Sequence, residues 1–103
     1  PIGFSVPAGV PDVVCMFWGC TSLVSLPAGF TVPDSVTEMY RMFSECTSLS
    51  GTITINANPP NYEYCFFNAG KDTTDGIVLK GSSTKLDALA ATKGTDGKVT
   101  VAP

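Results

Sequence analysis

The chain has 103 residues, of which 44% are hydrophobic and only 15% charged, with a formal net charge of −3. That length carries one core, and the apolar content excludes a disordered chain. The weak acidity argues against nucleic acid, because neutralising phosphates needs a Lys/Arg surface, and no apolar run approaches the roughly 20 residues that span a bilayer.

Residues 3–26 align without gaps on residues 29–52, with 11 of 24 positions identical at an offset of 26. A period in the twenties points to stacked units, each burying its apolar face against the next. The expected layout is one domain over 1–103, with repeats near 3–28, 29–54 and 55–80 and a closing cap over 81–103. The sequence opens in mid-repeat at Pro1, which reads as a piece of a longer array. The missing basic-then-apolar leader at that point therefore says nothing about export.

In the first unit, Val10, Val13, Val14 and Phe17 fall at i, i+3, i+4 and i+7 and draw one apolar stripe, which predicts a helix over 10–18 with Pro11 in its first turn. Cys20-Thr21-Ser22-Leu23 follows, then an expected strand over 23–26 stopped by Pro27. The second unit repeats the stripe as Val36, Met39, Tyr40 and Phe43, with Ser35 and Glu38 at capping-box spacing, predicting a helix over 35–45. Thr52-Ile53-Thr54-Ile55 alternates with the strand period of two, and Asn58-Pro59-Pro60-Asn61 breaks the chain.

The third unit is degraded. Tyr64-Cys65-Phe66-Phe67 is set against Tyr40-Arg41-Met42-Phe43 at an offset of 24, which puts Tyr64 in the core column of Tyr40 and leaves Tyr62 partly exposed. A polar loop over 70–76 leads to a strand at Ile77-Val78-Leu79. Beyond it, Thr84 with Asp87 is expected to cap a helix ending near Thr92, with Leu86, Leu89 and Ala90 inward and Gly94 as its stop. Residues 98–101 (KVTV) read as a last strand. A polar, atypical final unit is what covers the open end of an array.

Met16-Phe17-Trp18-Gly19-Cys20-Thr21-Ser22-Leu23 and Met42-Phe43-Ser44-Glu45-Cys46-Thr47-Ser48-Leu49 resemble the MFxxCxSL core of BspA-type leucine-rich repeats of bacterial surface proteins. The resemblance is strongest over 3–55 and extends to 62–79, and residues 82–94 look like the segment that closes such arrays. It implies an α/β fold, a short right-handed βα solenoid of leucine-rich-repeat type with a narrow parallel sheet and a C-terminal capping unit. It also implies a cell-surface or secreted bacterial setting and adhesion to protein or glycan ligands of a host or neighbouring cell. It carries over no catalytic residue and no cofactor. The chain departs from the pattern in its short second-to-third spacing and in the third unit, where Gly70 is taken to stand in for the Cys.

Four cysteines, Cys15, Cys20, Cys46 and Cys65, leave three readings open. They are free and buried as small apolar residues in stacked columns, or Cys20 and Cys46 form a bridge if neighbouring units bring them close enough, or they hold zinc. Against zinc stands the absence of Cys-x-x-Cys and of any His. Without His the common nucleophile–base dyads are also missing, so an enzyme is not expected. Asp72 and Asp75 lie in a Gly-bounded loop, read either as Ca²⁺ ligands or as a solvated turn lacking the dense oxygen pattern of an EF-hand. Lys80, Lys85, Lys93 and Lys98 read as a basic patch or as the charged cap of the last unit.

Candidate ligand residues are those where the copies disagree or that face out from a sheet. Trp18 shares an expected column with Ser44 and Asn68, and an exposed Trp stacks on sugars or anchors protein partners; the competing reading packs it on a further repeat or on the turns at Pro11 and Pro27. Ser25, Thr52, Thr54, Asn56, Val78 and Lys80 are the candidates on the sheet face. The expected function is a non-enzymatic binding or adhesion module without metal, cofactor, nucleic-acid partner or direct membrane insertion. The alternative is a purely structural end piece that closes a longer array.

Overall fold

The computed structural model describes residues 9, 12–26 and 30–102. Val10, Pro11 and residues 27–28, on which parts of the first expected helix and strand fall, lie outside the described residues, as do residues 1–8. Four parallel strands form one sheet in chain order: β1 (Thr31–Val32), β2 (Gly51–Ile55), β3 (Ile77–Lys80) and β4 (Val99–Val101). Among the described residues one helix, α1 (Leu86–Ala91), lies between β3 and β4. This is a small compact α/β domain of 33 × 29 × 26 Å.

The expected strands at 52–55, 77–79 and 98–101 correspond to β2, β3 and β4, because alternation places Ile53, Ile55, Ile77, Leu79 and Val99 on the buried face. Residues 23–26 are not a strand. The first strand lies later, at Thr31–Val32, paired with Thr54 and Ile55 at an offset of 23. The turn segments of the same two units pair at 26, Asp12 with Glu38. Three extra residues therefore separate turn from strand in the first unit, and an ungapped alignment cannot see them.

Of the expected helices over 10–18 and 35–45, the described residues 12–18 and 35–45 form none. In their place runs a ribbon of turns built on a different rhythm. Met16, Trp18 and Cys20 donate their N–H groups to the carbonyls three residues back, while Val13, Cys15, Phe17 and Gly19 donate to Glu38, Tyr40, Met42 and Ser44 of the next unit at 2.9–3.0 Å. The pattern recurs one unit on, with Met39, Arg41, Phe43 and Glu45 bonded to Asn61, Glu63, Cys65 and Phe67 at 2.7–3.1 Å. A helix is excluded because Cys15, Arg41, Glu45, Tyr64 and Asn68 have φ between 55° and 62°, and the column-mate Gly19 is also left-handed at 75°. Burial agrees with the ribbon: Val36, Met39, Met42, Phe43, Cys46 and Leu49 are inside, whereas Tyr40, on the expected helical stripe, is exposed. Ser35 and Glu38 make no capping box, since Ser35 Oγ accepts from Gly9 N and the Glu38 carboxylate accepts from Asn61.

The core lies between ribbon and sheet. Phe17, Phe43 and Phe66 stack one above another with centroids 5.3 and 5.1 Å apart, and Phe30 meets the first two edge-on. That stack fixes the second-to-third offset at 23, correcting the expected 24. Tyr64 therefore aligns with Arg41, Asn68 with Glu45, Phe67 with Ser44 and Trp18, and Ala69, not Gly70, takes the place of Cys46. Helix α1 forms as expected, with Leu89 and Ala90 buried and Gly94 at φ 73° after its end. Its expected cap does not form. Thr84 spends its backbone N–H and hydroxyl on Asn58 Oδ1, and Lys85 at the N-terminal boundary makes no side-chain cap.

Candidate functional site

The sheet candidates separate into two groups. Thr52 and Thr54 point outward from β2, and the register sets Thr52 beside Val78 and Thr54 between Thr31 and Lys80. Asn56 is half-buried, and its Oδ1 accepts from Ser82 N at 2.9 Å and Ser82 Oγ at 3.1 Å, locking the turn after β3. Ser25 is exposed but belongs to no strand, so it does not join the row.

Trp18 sits on the ribbon rather than on the sheet and is 52% exposed. Its column is not uniformly outward: Ser44 is buried, its hydroxyl without a hydrogen-bond partner among the described residues. What Trp18 does meet is Arg41, whose guanidinium carbon lies 5.3 Å from the Trp18 ring centroid. The same guanidinium lies 5.3 Å from the Tyr40 ring and 4.8 Å from the Tyr64 ring, and Arg41 Nε donates to Tyr40 Oη at 3.0 Å. Three rings thus hold one cation by cation–π attraction. Tyr64 is 45% exposed, the reverse of its expected core position, and it contacts Tyr40 at 6.3 Å and Phe67 at 5.7 Å between centroids.

The left-handed backbone at Cys15, Arg41 and Tyr64 swings the side chain of that column out of the core. The carbonyls that accept the ladder between units are those of Glu38, Tyr40, Met42 and Ser44 in the second unit and of Asn61, Glu63, Cys65 and Phe67 in the third. The hydrogen bond to Tyr40 raises the Arg41 pKa, desolvation opposes it, and Tyr40, Tyr64 and Cys15 add to the rise. No carboxylate is among the groups acting on Arg41. Two acids of the ribbon are engaged by amides: Asn61 Nδ2 donates to both oxygens of Glu38 at 2.9 and 2.8 Å, and Asn68 Nδ2 donates to Glu45 Oε2 at 3.0 Å.

Tyr64 also borders an open groove of about 350 Å³ between Tyr62 and Phe67 on one unit and Ala91, Thr92 and Gly94 on the next. Tyr62 packs partly against the core, with Lys85 Nζ 5.5 Å over its ring. The lysines do not form one patch, since Lys85 Nζ donates to Pro59 O and Lys98 Nζ to Thr73 O, while Lys80 is exposed on the sheet side. Asp72 and Asp75 are exposed in a turn organised by Thr73, whose hydroxyl donates to Gly70 O and accepts from Gly76 N. Among the described residues no three His, Cys, Asp or Glu side chains converge to hold a metal.

All four cysteines are free, so no Cys20–Cys46 bridge is present; Cys46 and Cys65 are buried, Cys15 and Cys20 half-buried. Cys46 Sγ donates to Phe17 O at 3.0 Å, and burial first, then the nearby Cys20 and Glu45, push its thiol up to about 12. Burial likewise pushes the Cys65 thiol up, against opposing hydrogen bonds to the backbone of Phe43 and Met42. Neither is a nucleophile at neutral pH.

The exposed Arg41–Tyr40–Tyr64 cluster was not singled out from sequence. Arg41 is the only basic residue in positions 1–65, a signal that was present; what it touches depends on the ribbon. Comparison with family models, with curated proteins and with solved structures finds no match to this chain.

Proposed function

We propose that the chain is a non-enzymatic binding or adhesion module of a bacterial cell-surface or secreted protein, built as a short right-handed solenoid of BspA-like leucine-rich-repeat type. Its fold combines a parallel sheet and a turn ribbon that repeat at offsets of 22 to 26 residues, which supports stacked units. One observation carries the functional reading: Trp18, Tyr40 and Tyr64 stand exposed together on the ribbon around Arg41. A monomeric surface rarely leaves such an aromatic cluster without use, and Trp, Tyr and Arg are the residues that anchor interfaces. The ligand face is accordingly the ribbon, with the threonine face of the sheet secondary.

The test is binding of the full chain, beside a Trp18→Ala/Tyr64→Ala double variant, to panels of extracellular proteins and glycans. Loss of at least about tenfold in affinity in the variant supports the reading, as expected when aromatic anchors go. A full chain that binds nothing, or a variant that binds equally, overturns it.

A second reading, the structural end piece, draws on the last unit: α1 and β4 with the Asn56 and Asn58 contacts close the core after β3. A longer chain carrying further upstream repeats distinguishes the two. Ligand bound by the longer chain and not by this one favours closure, and equal binding excludes it.

A further inference from the structure

We infer that the Arg41 cluster is a subsite for a saccharide bearing a single carboxylate, and that Tyr64 joins it to the adjoining groove, where a neighbouring sugar ring sits. The inference rests on the binding-module reading above and names its ligand class.

The guanidinium is the starting point. Its carbon lies 4.8–5.3 Å from three ring centroids and its Nε is fixed to Tyr40 Oη. The side chain is thus pre-positioned, and among the described residues its terminal nitrogens are the donors left for a ligand. A guanidinium edge matches the two coplanar oxygens of a carboxylate. Among the described residues Glu38 and Glu45 are held by asparagine amides, Glu63 lies exposed on the groove rim, and no carboxylate is among the groups that act on Arg41. An arginine set on an aromatic platform without an acid of its own is charge-complementary to one external anion.

Residue choice at the left-handed column points the same way. Positive φ costs a non-glycine residue roughly 1–2 kcal/mol, and the ribbon's other left-handed column carries Gly19, Glu45 and Asn68. At 41 and 64 the same backbone carries Arg and Tyr, two large side chains, of which Tyr64 is exposed and Arg41 half-buried among the rings.

Charge sets the size of the anion. Residues 1–65 hold Arg41 against five acids, a net of −4, so a polyanion is repelled several times more strongly than a ligand with one isolated negative charge. Backbone chemistry disfavours a peptide. Arg41 N is bonded to Glu63 O, Tyr40 O accepts from Cys15 N, and Arg41 O accepts from Ser44 N, so the ribbon offers no strand edge here for main-chain pairing. A sugar needs no such edge: its C–H face stacks on an exposed ring and its hydroxyls meet scattered polar groups. The groove volume of about 350 Å³ lies near the lower end of ligand pockets, and the exposed Glu63 on its rim is an acceptor for hydroxyl groups.

The test uses the full chain at about 10 mM salt, where screening is weak. Sialyllactose, its methyl ester and lactose form one arm; cellobiouronic acid and cellobiose form the other, which separates sialic from uronic carboxylates. In at least one arm the acid is expected to bind about tenfold tighter than its neutral counterpart, the size of one charge-assisted bidentate contact. Arg41→Gln, folded as judged by an unchanged circular dichroism spectrum, is expected to abolish that preference, and Arg41→Lys to restore only part of it. In the unaltered protein the Arg41 Nε–H resonance is expected to shift saturably with the acid and not with the ester, a readout independent of any variant. Equal affinity for acid and neutral forms overturns the inference while leaving a sugar-binding face intact. No binding of any of these saccharides also overturns it, and the double-variant panel then decides the module reading separately. A preference that survives in Arg41→Gln overturns it too.

Discussion

Individual side chains in this protein take their meaning from which column of the ribbon they occupy. Cys15 and Cys65 both precede an apolar pair ending in Phe, yet Cys15 stands in the outward left-handed column with Arg41 and Tyr64, and Cys65 stands inward with Met42. Chemical reactivity is expected to split accordingly: with a thiol reagent at neutral pH, Cys15 and Cys20 label in the native state while Cys46 and Cys65 label only on unfolding. Stability should follow the same thiols with pH. An unfolded thiol ionises near about 8.5, whereas folded Cys46 is pushed up to about 12. The unfolded state therefore releases the proton first, and the contribution is complete below about pH 8.5 and lost as pH rises toward 12. Denaturant unfolding at pH 8 and pH 10.5 is expected to show a smaller loss in Cys46→Ala than in the unaltered chain. Alanine fits there, since Ala69 fills the same column one unit on; an unchanged loss would refute the assignment.

The elements are held less by propensity than by backbone contacts between units. The ribbon commits alternate N–H groups to the next unit and has two left-handed positions in each copy, a demand that the sequence meets with Gly, Asn and, at a cost, larger residues. Glycines after the strands serve a different need. At Gly81, with φ 125°, any Cβ would overlap the carbonyl of Ile55, while at Gly19 a Cβ meets nothing within 4 Å. Gly19→Asn is therefore expected to lower stability by less than about 1 kcal/mol, because Asn tolerates left-handed backbone. Gly81→Asn is expected to cost well over about 1 kcal/mol, since both φ and the neighbouring backbone oppose it. Thermal unfolding of the pair measures the difference, and equal costs would remove close packing as the reason for Gly81.

Across the whole molecule, each unit is stabilised by its neighbours, so protection should follow position in the stack. The second and third ribbons and β2–β3 are covered on both sides, and their core residues Met39, Met42, Phe43, Cys46, Ile53, Ile55, Phe66 and Leu79 are almost wholly buried. In the first ribbon Val14, Met16 and Trp18 are 39–52% exposed. Native-state hydrogen exchange is expected to be slowest at the amides of Phe43, Glu45 and Ile53 and clearly faster at Cys15, Phe17 and Gly19, although all but Ile53 make the same kind of bond in the ribbon. Uniform protection across the two ribbons would show one cooperative block in place of nearest-neighbour stacking.

The sequence by itself determined that similar units recur, which strands alternate, and which columns are core: Phe17 with Phe43, Cys20 with Cys46, and Leu23 with Leu49 are legible because apolar identity at a fixed offset needs no knowledge of the backbone. It also located α1 and β2 to β4 and drew attention to Trp18. Only the tertiary structure decided that the apolar stripes at 36–43 belong to turns and not helices, because spacings of three and four suit both and the hydrogen bonds that separate them run between units. The same holds for the true offset of 23 in the third unit, fixed by the stacking of Phe43 on Phe66, and for the first strand at Thr31–Val32. The candidate site shows the limit most clearly. Trp18, Arg41 and Tyr64 are each 23 residues apart in chain, and nothing local joins them. They become one cluster because successive ribbons lie side by side and a left-handed backbone turns Arg41 and Tyr64 outward, a contact that exists only once the units are stacked.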